Sequence, residues 1–296
     1  MDKFRGVYPV TLTPFKDDES LDEEALRTHT GWLVEQGVHG LICTGSTGEA
    51  ASLSEGERKA VVEVTIDEVG GRLPVFVGSG ANSTAHTIMY SQHAEKAGAD
   101  GLMVVHPYYC LPNERELYQH YKAVAENVHI PIMIYNNPFT TGVDMKPELL
   151  ARLAQIDNIR YIKDATADIK RVGEIKLVCG DKMTVFQGCD NVMWESLLMG
   201  AEGWVSGMAN IVPRQCLQLY DKTVSGKLDE ARGLYFRMLP LGRMLDTEGL
   251  FVQYLKAGSE MLGRPLGRPR RPMLVPRVDD LRRLKAALDL VAQEGC

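Results

Sequence analysis

The chain lacks the features of a membrane-spanning or disulfide-stapled protein. None of its apolar runs reaches the ~18 residues that mark a transmembrane helix. Its first residues, MDKFRGVYPVTLTPF, lack the long apolar core of a signal peptide. Six cysteines (43, 110, 179, 189, 216 and 296) are scattered without a C-x-x-C pair. A zinc site and a disulfide framework are therefore not indicated, and a reducing cytoplasm is the expected location. Cationic excess is also missing: 33 Lys and Arg stand against 39 Asp and Glu, for a net charge of -6. A generally basic surface for nucleic acid is excluded on that balance. The one basic run, residues 264–271 in GRPLGRPRRP, is Pro-rich and reads as a solvated loop between helices. All 7 histidines fall between His29 and His129 without ligand spacing, so no metal is expected. No Gly-Lys-Ser/Thr ending follows a glycine-rich loop, and Gly78-Ser79-Gly80 falls short of the dinucleotide pattern.

What remains is ordinary globular material. The 296 residues are 45% hydrophobic and 24% charged, enough for a large core in one or two domains. Short apolar runs alternate with helical patterns. Candidate strands are Gly6–Thr11, Gly40–Cys43, Pro74–Val77, Gly101–Val105, Pro131–Tyr135, Ile159–Lys163, Thr184–Gln187 and Gly203–Ser206. Amphipathic segments such as Asp22–Gln36, Ser54–Val69, Thr84–Ala97, Arg115–Glu126 and Lys146–Gln155 lie between them. Ser54 followed by Glu57 predicts a capping box, and Ser83-Thr84 marks another helix start. Continuous apolar strands alternating with helices argue for a parallel sheet covered by helices. Eight such units predict a (β/α)8 TIM barrel, with an open doubly wound sheet as the alternative. After Ile211 only helical patterns follow, which predicts a C-terminal helical extension.

A barrel of this kind places its site at the C-terminal ends of its strands. Lys163 ends the sixth candidate strand. Desolvation disfavours an ammonium ion, so a lysine at the mouth of an apolar strand is a candidate amine nucleophile; the alternative is a lysine snorkelling at a strand end. The second strand leads into Gly45-Ser46-Thr47-Gly48. Backbone N–H groups and two hydroxyls there suit a carboxylate-sized anion, and the alternative is a tight turn that needs glycine only for its backbone angles. Tyr135 ends the fifth strand, either as a rim residue or as a proton-shuttling phenol. Tyr109 carries the same ambiguity.

Five ordered motifs then carry a resemblance. They are Gly45-Ser46-Thr47-Gly48-Glu49, Gly80-Ala81-Asn82-Ser83-Thr84, Pro107-Tyr108-Tyr109, Tyr135-Asn136-Asn137-Pro138 and Lys163-Asp164-Ala165-Thr166. Over nearly its whole length the chain resembles the dihydrodipicolinate synthase/N-acetylneuraminate lyase family of class I, Schiff-base-forming aldolases. The resemblance implies a barrel over residues 1–224, a helical domain over 225–296, and a homotetramer built as a dimer of dimers. It implies a small 2-oxo acid substrate and no cofactor, the covalent link being an imine on Lys163. It further implies that Tyr135 and Ser46 relay protons. Thr47, with the Ser46 and Thr47 N–H groups, would hold the carboxylate. Tyr109 would reach a neighbouring subunit's site, and the Val205 carbonyl would face the substrate beside Gly188. Asp190 is expected either to hold substrate hydroxyls or to cap a helix.

The departures concern the second substrate. Synthases carry an arginine five positions after the site tyrosine, and here that position is Thr140, beside the apolar Phe139. A hydroxyl cannot grip a carboxylate bidentately. The expectation is therefore a lyase or aldolase on pyruvate or a pyruvate-derived 2-oxo acid outside lysine biosynthesis. Alternatives are a genuine 4-hydroxy-tetrahydrodipicolinate synthase, a 2-keto-3-deoxy acid dehydratase or deaminase, and a non-catalytic oxo-acid-binding regulator.

Overall fold

The computed structural model describes residues 4–293. Eight strands form one parallel sheet: β1 (Gly6–Pro9), β2 (Leu41–Cys43), β3 (Val75–Gly78), β4 (Gly101–Val105), β5 (Ile132–Asn136), β6 (Ile159–Asp164), β7 (Thr184–Gln187) and β8 (Gly203–Ser206). Their order, β1-β8-β7-β6-β5-β4-β3-β2, would leave two edges in an open sheet. A parallel bridge between Val10 and Ile42 joins β1 to β2, and the Thr11 amide donates to the Ile42 carbonyl at 2.8 Å. The sheet is therefore a barrel, as expected, rather than the open alternative.

Helices alternate with the strands: α1 (Glu23–Glu35), α2 (Glu55–Val69), α3 (Thr84–Ala97), α4 (Glu114–Ala125), α5 (Pro138–Thr141), α6 (Pro147–Leu153), α7 (Lys170–Cys179) and α8 (Met193–Leu198). Four more close the chain: α9 (Pro213–Val224), α10 (Leu228–Thr247), α11 (Phe251–Met261) and α12 (Val278–Ala292). The Ser54 hydroxyl accepts from the Glu57 amide while the Glu57 carboxylate accepts from the Ser54 amide, the capping box read in the sequence. Ser83 caps α3 through the His86 amide.

Strand periodicity sorts the side chains. On β6, Ile162 packs outward against the helices with Leu102, Ile134 and Val185, whereas its neighbours Tyr161 and Lys163 point into the barrel. Tyr8, Phe76, Tyr161 and Phe186 form a floor of edge-to-face aromatic pairs, with centroids 5.5 to 6.1 Å apart. Two residues further along β6, Lys163 stands above that floor. A separate apolar cluster joins α9–α12 to Val7 of β1 and Trp204 of β8, so the helical extension is continuous with the barrel.

Candidate active site

Lys163 is only 5% exposed. The register pairs it with Tyr135 on β5 and Phe186 on β7. Its Nζ lies 3.9 Å from the centroid of the Tyr135 ring, so the amine rests on the face of the neighbouring phenol. Gly188 explains how the stem fits. A Cβ at that position would stand 2.8 Å from Lys163 Cε, 3.0 Å from Lys163 Cγ and 3.0 Å from Ala165 Cβ. Glycine is needed there for space, because the lysine stem runs across its Cα.

A cavity of about 640 Å³ opens beside Tyr135. Thr44, Ser46, Tyr108, Tyr135 and Thr140 line it, together with Arg58 and Arg270. Lys163 is not in its wall; Tyr135 is the residue the lysine and the cavity share. The Tyr135 hydroxyl accepts from Asn137 Nδ2 at 3.0 Å, and the same nitrogen donates to Thr140 Oγ1 at 3.0 Å.

The turn after β2 differs from its sequence reading. Gly45 and Gly48 are not in the left-handed region; Thr44 (φ 52°) and Glu49 (φ 55°) are. The glycines make room instead. A Cβ on Gly45 would meet Val10 Cγ1 at 2.5 Å, and one on Gly48 would meet the Thr11 carbonyl oxygen at 2.9 Å. The strained non-glycine residues are anchored. Thr44 Oγ1 donates to the Gly78 carbonyl at 3.0 Å, and Glu49 forms a buried ion pair with Lys256 Nζ at 2.7 Å. Ser46 is exposed on the cavity and Thr47 is buried behind it.

A polar network braces the strand ends around the lysine. Asn136 Nδ2 donates to Asp164 Oδ1 and Asp144 Oδ1, both at 3.0 Å, and Arg171 grips Asp144 through two 2.9 Å bonds. Burial raises the Asp164 carboxyl above its ordinary range. Asp190 is buried, with Oδ1 accepting from Trp204 Nε1 (2.9 Å) and Ser206 Oγ (2.7 Å) and Oδ2 from the Met208 amide (3.0 Å). Both of its oxygens are engaged in tying β7 to β8, unlike the two roles expected of it. Asp246 of α10 accepts from the Asn191 amide at 2.8 Å. Burial, then the nearby Asp190 charge, pushes the Asp246 carboxyl up to about 8.

The other expected residues are dispersed. Val205 is buried in the barrel interior. Tyr109 and Phe139 are 89% and 78% exposed, outside the cavity of this chain. The basic run is a loop between α11 and α12, as expected, but Arg270 is not solvated. Its guanidinium stacks on Phe15 at 4.2 Å and holds Glu57 Oε1 at 2.6 Å, which draws the C-terminal segment over the cavity. Among the described residues no cluster of three or more His, Cys, Asp or Glu could hold a metal ion, and no helix is long and apolar enough to cross a membrane. Sequence reasoning gave no role to Asn137, Asn136 or Asp164, although all three lie inside the motifs it quoted. For Asp246, in a distant helix, no local signal exists.

A parallel eight-stranded barrel with an amine, a phenol and small hydroxyls at or just beyond the C-terminal ends of its strands defines a class, the (β/α)8-barrel enzymes. Comparison with known proteins narrows this. The dihydrodipicolinate synthetase family model matches residues 3–290. The 4-hydroxy-tetrahydrodipicolinate synthase of Methanothrix thermoacetophila is 41% identical over 280 residues, spanning 94% of this chain and 93% of its own. Its counterpart from Methylobacterium radiotolerans is 41% identical over 286 residues, spanning 95% and 93%. The dihydrodipicolinate synthase of Acinetobacter baumannii, described as chloride inhibited and complexed with pyruvate, superposes with a TM-score of 0.92 at 34% identity, covering 98% of this chain and 99% of its own. The Aquifex aeolicus synthase gives 0.93 at 32%, covering 97% of each. The chain belongs to the dihydrodipicolinate synthetase family and is an enzyme of its lyase class.

Proposed function

We propose that Lys163 forms an imine with the 2-oxo group of pyruvate, and that the resulting enamine adds to, or is released from, an aldehyde. The observation that carries this reading is the placement of Lys163, buried at the end of β6 with its Nζ on the Tyr135 ring. In imine formation two protons pass from the amine nitrogen to the ketone oxygen, which departs as water. Tyr135 and Ser46 carry them through their hydroxyls. Thr47 and the Ser46 and Thr47 amides hold the carboxylate and so orient the carbonyl towards the amine. Once its nitrogen takes a proton from solvent, the imine is an electron sink, so loss of a C3 proton gives the enamine. Gly188 and the Val205 carbonyl border the substrate. Asp190 acts as a positioning residue through Trp204 and Ser206. The exposed Tyr109 serves a neighbouring subunit within a homotetramer in the cytoplasm.

The name shared by the relatives supports aspartate semialdehyde as the aldehyde, which makes the reaction the synthesis of 4-hydroxy-tetrahydrodipicolinate. This support is stronger than the argument from Thr140 against it. Thr140 nevertheless favours a second reading, in which the partner lacks a carboxylate and the enzyme cleaves, dehydrates or deaminates another 2-oxo acid. Thr140, which lines the cavity, then takes part in selecting it, whereas Phe139 lies outside the wall. Incubation with pyruvate and aspartate semialdehyde separates the two. Turnover supports the synthase, and its absence alongside a borohydride-trapped pyruvate adduct supports the second reading. No adduct with any 2-oxo acid sinks both.

A further inference from the structure

We infer that Asn137 is a positioning residue that sets the direction in which the Tyr135 phenol gives its proton. The inference rests on the proposed role of Tyr135 as a proton carrier. Asn137 occupies the N-cap of α5, where an asparagine side chain ordinarily accepts from the first-turn amides. Here it makes no capping bond. Its backbone carbonyl takes the Thr140 and Thr141 amides instead, at 3.1 and 2.9 Å, and the side chain is released towards the site. There Nδ2 reaches two hydroxyl oxygens, Tyr135 Oη and Thr140 Oγ1, at 3.0 Å each.

An amide nitrogen has two hydrogens and no accepting lone pair. With both hydrogens used, each hydroxyl oxygen is an acceptor towards Asn137, and its own proton points elsewhere. Tyr135 thereby keeps its O–H free for the ketone oxygen as that oxygen is converted to water. Thr140, which lines the cavity, keeps its O–H free for an oxygen of the second substrate. One side chain therefore sets the donor polarity of both hydroxyls.

Exchange of the pyruvate methyl protons with D2O tests this, because it needs imine and enamine formation but no second substrate. Wild-type enzyme is expected to exchange them. Asn137→Asp has nearly the same shape but presents acceptors only, so it draws the phenolic proton towards itself. It is expected to slow exchange by about a hundredfold near neutral pH and to recover as the carboxylate protonates at acidic pH. Asn137→Val is expected to lose less and to show no such acidic recovery. A role confined to packing would leave Asn137→Asp close to wild type and without the new pH dependence, and that result would overturn the inference. Tyr135→Phe keeps the two readings apart. If it exchanges as fast as wild type, the proton-carrier role of Tyr135 itself fails. If it is slow while Asn137→Asp is not, only the inference about Asn137 fails.

Discussion

One methyl group added at residue 188 lands on the stem of Lys163. The Cβ of a Gly188→Ala variant would lie 2.8 Å from Lys163 Cε and 3.0 Å from both Lys163 Cγ and Ala165 Cβ. Carbon atoms in ordinary contact sit about 3.5 to 4.0 Å apart, so the stem must move by roughly 1 Å. It has little room, because Lys163 is buried with its Nζ on the Tyr135 ring. A misplacement of about 1 Å at a reacting centre costs on the order of a hundredfold in rate. Overpacking of this kind costs about 1–3 kcal/mol in stability. The assay is the time course of borohydride-trapped adduct with saturating pyruvate, read by mass spectrometry, with thermal unfolding as the folding control. Gly188→Ala is expected to remain folded and to form adduct about a hundredfold more slowly. A variant trapped within twofold of the wild-type rate would refute the claim that Gly188 holds the lysine in line.

Two further outcomes follow from the buried charges. The Asp246 carboxyl is raised to about 8 in the folded chain, while an unfolded aspartate titrates near 4. Between those values the folded state holds a proton that the unfolded state has released, so stability falls as pH rises from about 4 to about 8. Asp246→Asn, which can still accept from the Asn191 amide, is expected to flatten that slope in urea unfolding between pH 5 and 8; an unchanged slope would show that the group is ionised throughout. Lys256→Met leaves Glu49 buried without its cation. Its unfolding free energy is expected to drop by about 3–5 kcal/mol, with much of the loss recovered in the Glu49→Gln/Lys256→Met double variant; no recovery would mean that the ion pair itself, and not the stranded charge, carries the effect.

The barrel was legible because each strand is a short apolar run bounded by glycine, proline or polar residues. β4, β7 and β8 begin and end where the sequence places them, at Gly101–Val105, Thr184–Gln187 and Gly203–Ser206. Helices with clear capping residues, such as Ser54 before α2 and Ser83 before α3, were equally readable. Segment α7 was not. Gly173 interrupts it, Leu177 and Val178 face solvent, and the residue at its N-cap is Ile169, which has no capping side chain. Lys163, Tyr135 and Ser46 stood out because a barrel gathers strand ends; the first two lie at the ends of β6 and β5 and Ser46 in the turn after β2. The bracing was hidden because its partners are far apart in sequence. Arg270 closes on Glu57 and Phe15, and Lys256 on Glu49, from the other end of the chain. No local pattern distinguishes such arginines and lysines from solvated ones. The glycines after β2 misled for a different reason: their need is space against Val10 and Thr11, which a backbone-angle argument does not detect.

The central claim is that the amine of Lys163 is the nucleophile. Its most direct test is borohydride reduction of the protein with pyruvate, followed by peptide mapping. One covalent adduct is expected, on the peptide carrying Lys163, and none in Lys163→Met. An adduct on another lysine, or an unmodified Lys163 in folded protein saturated with pyruvate, would contradict it.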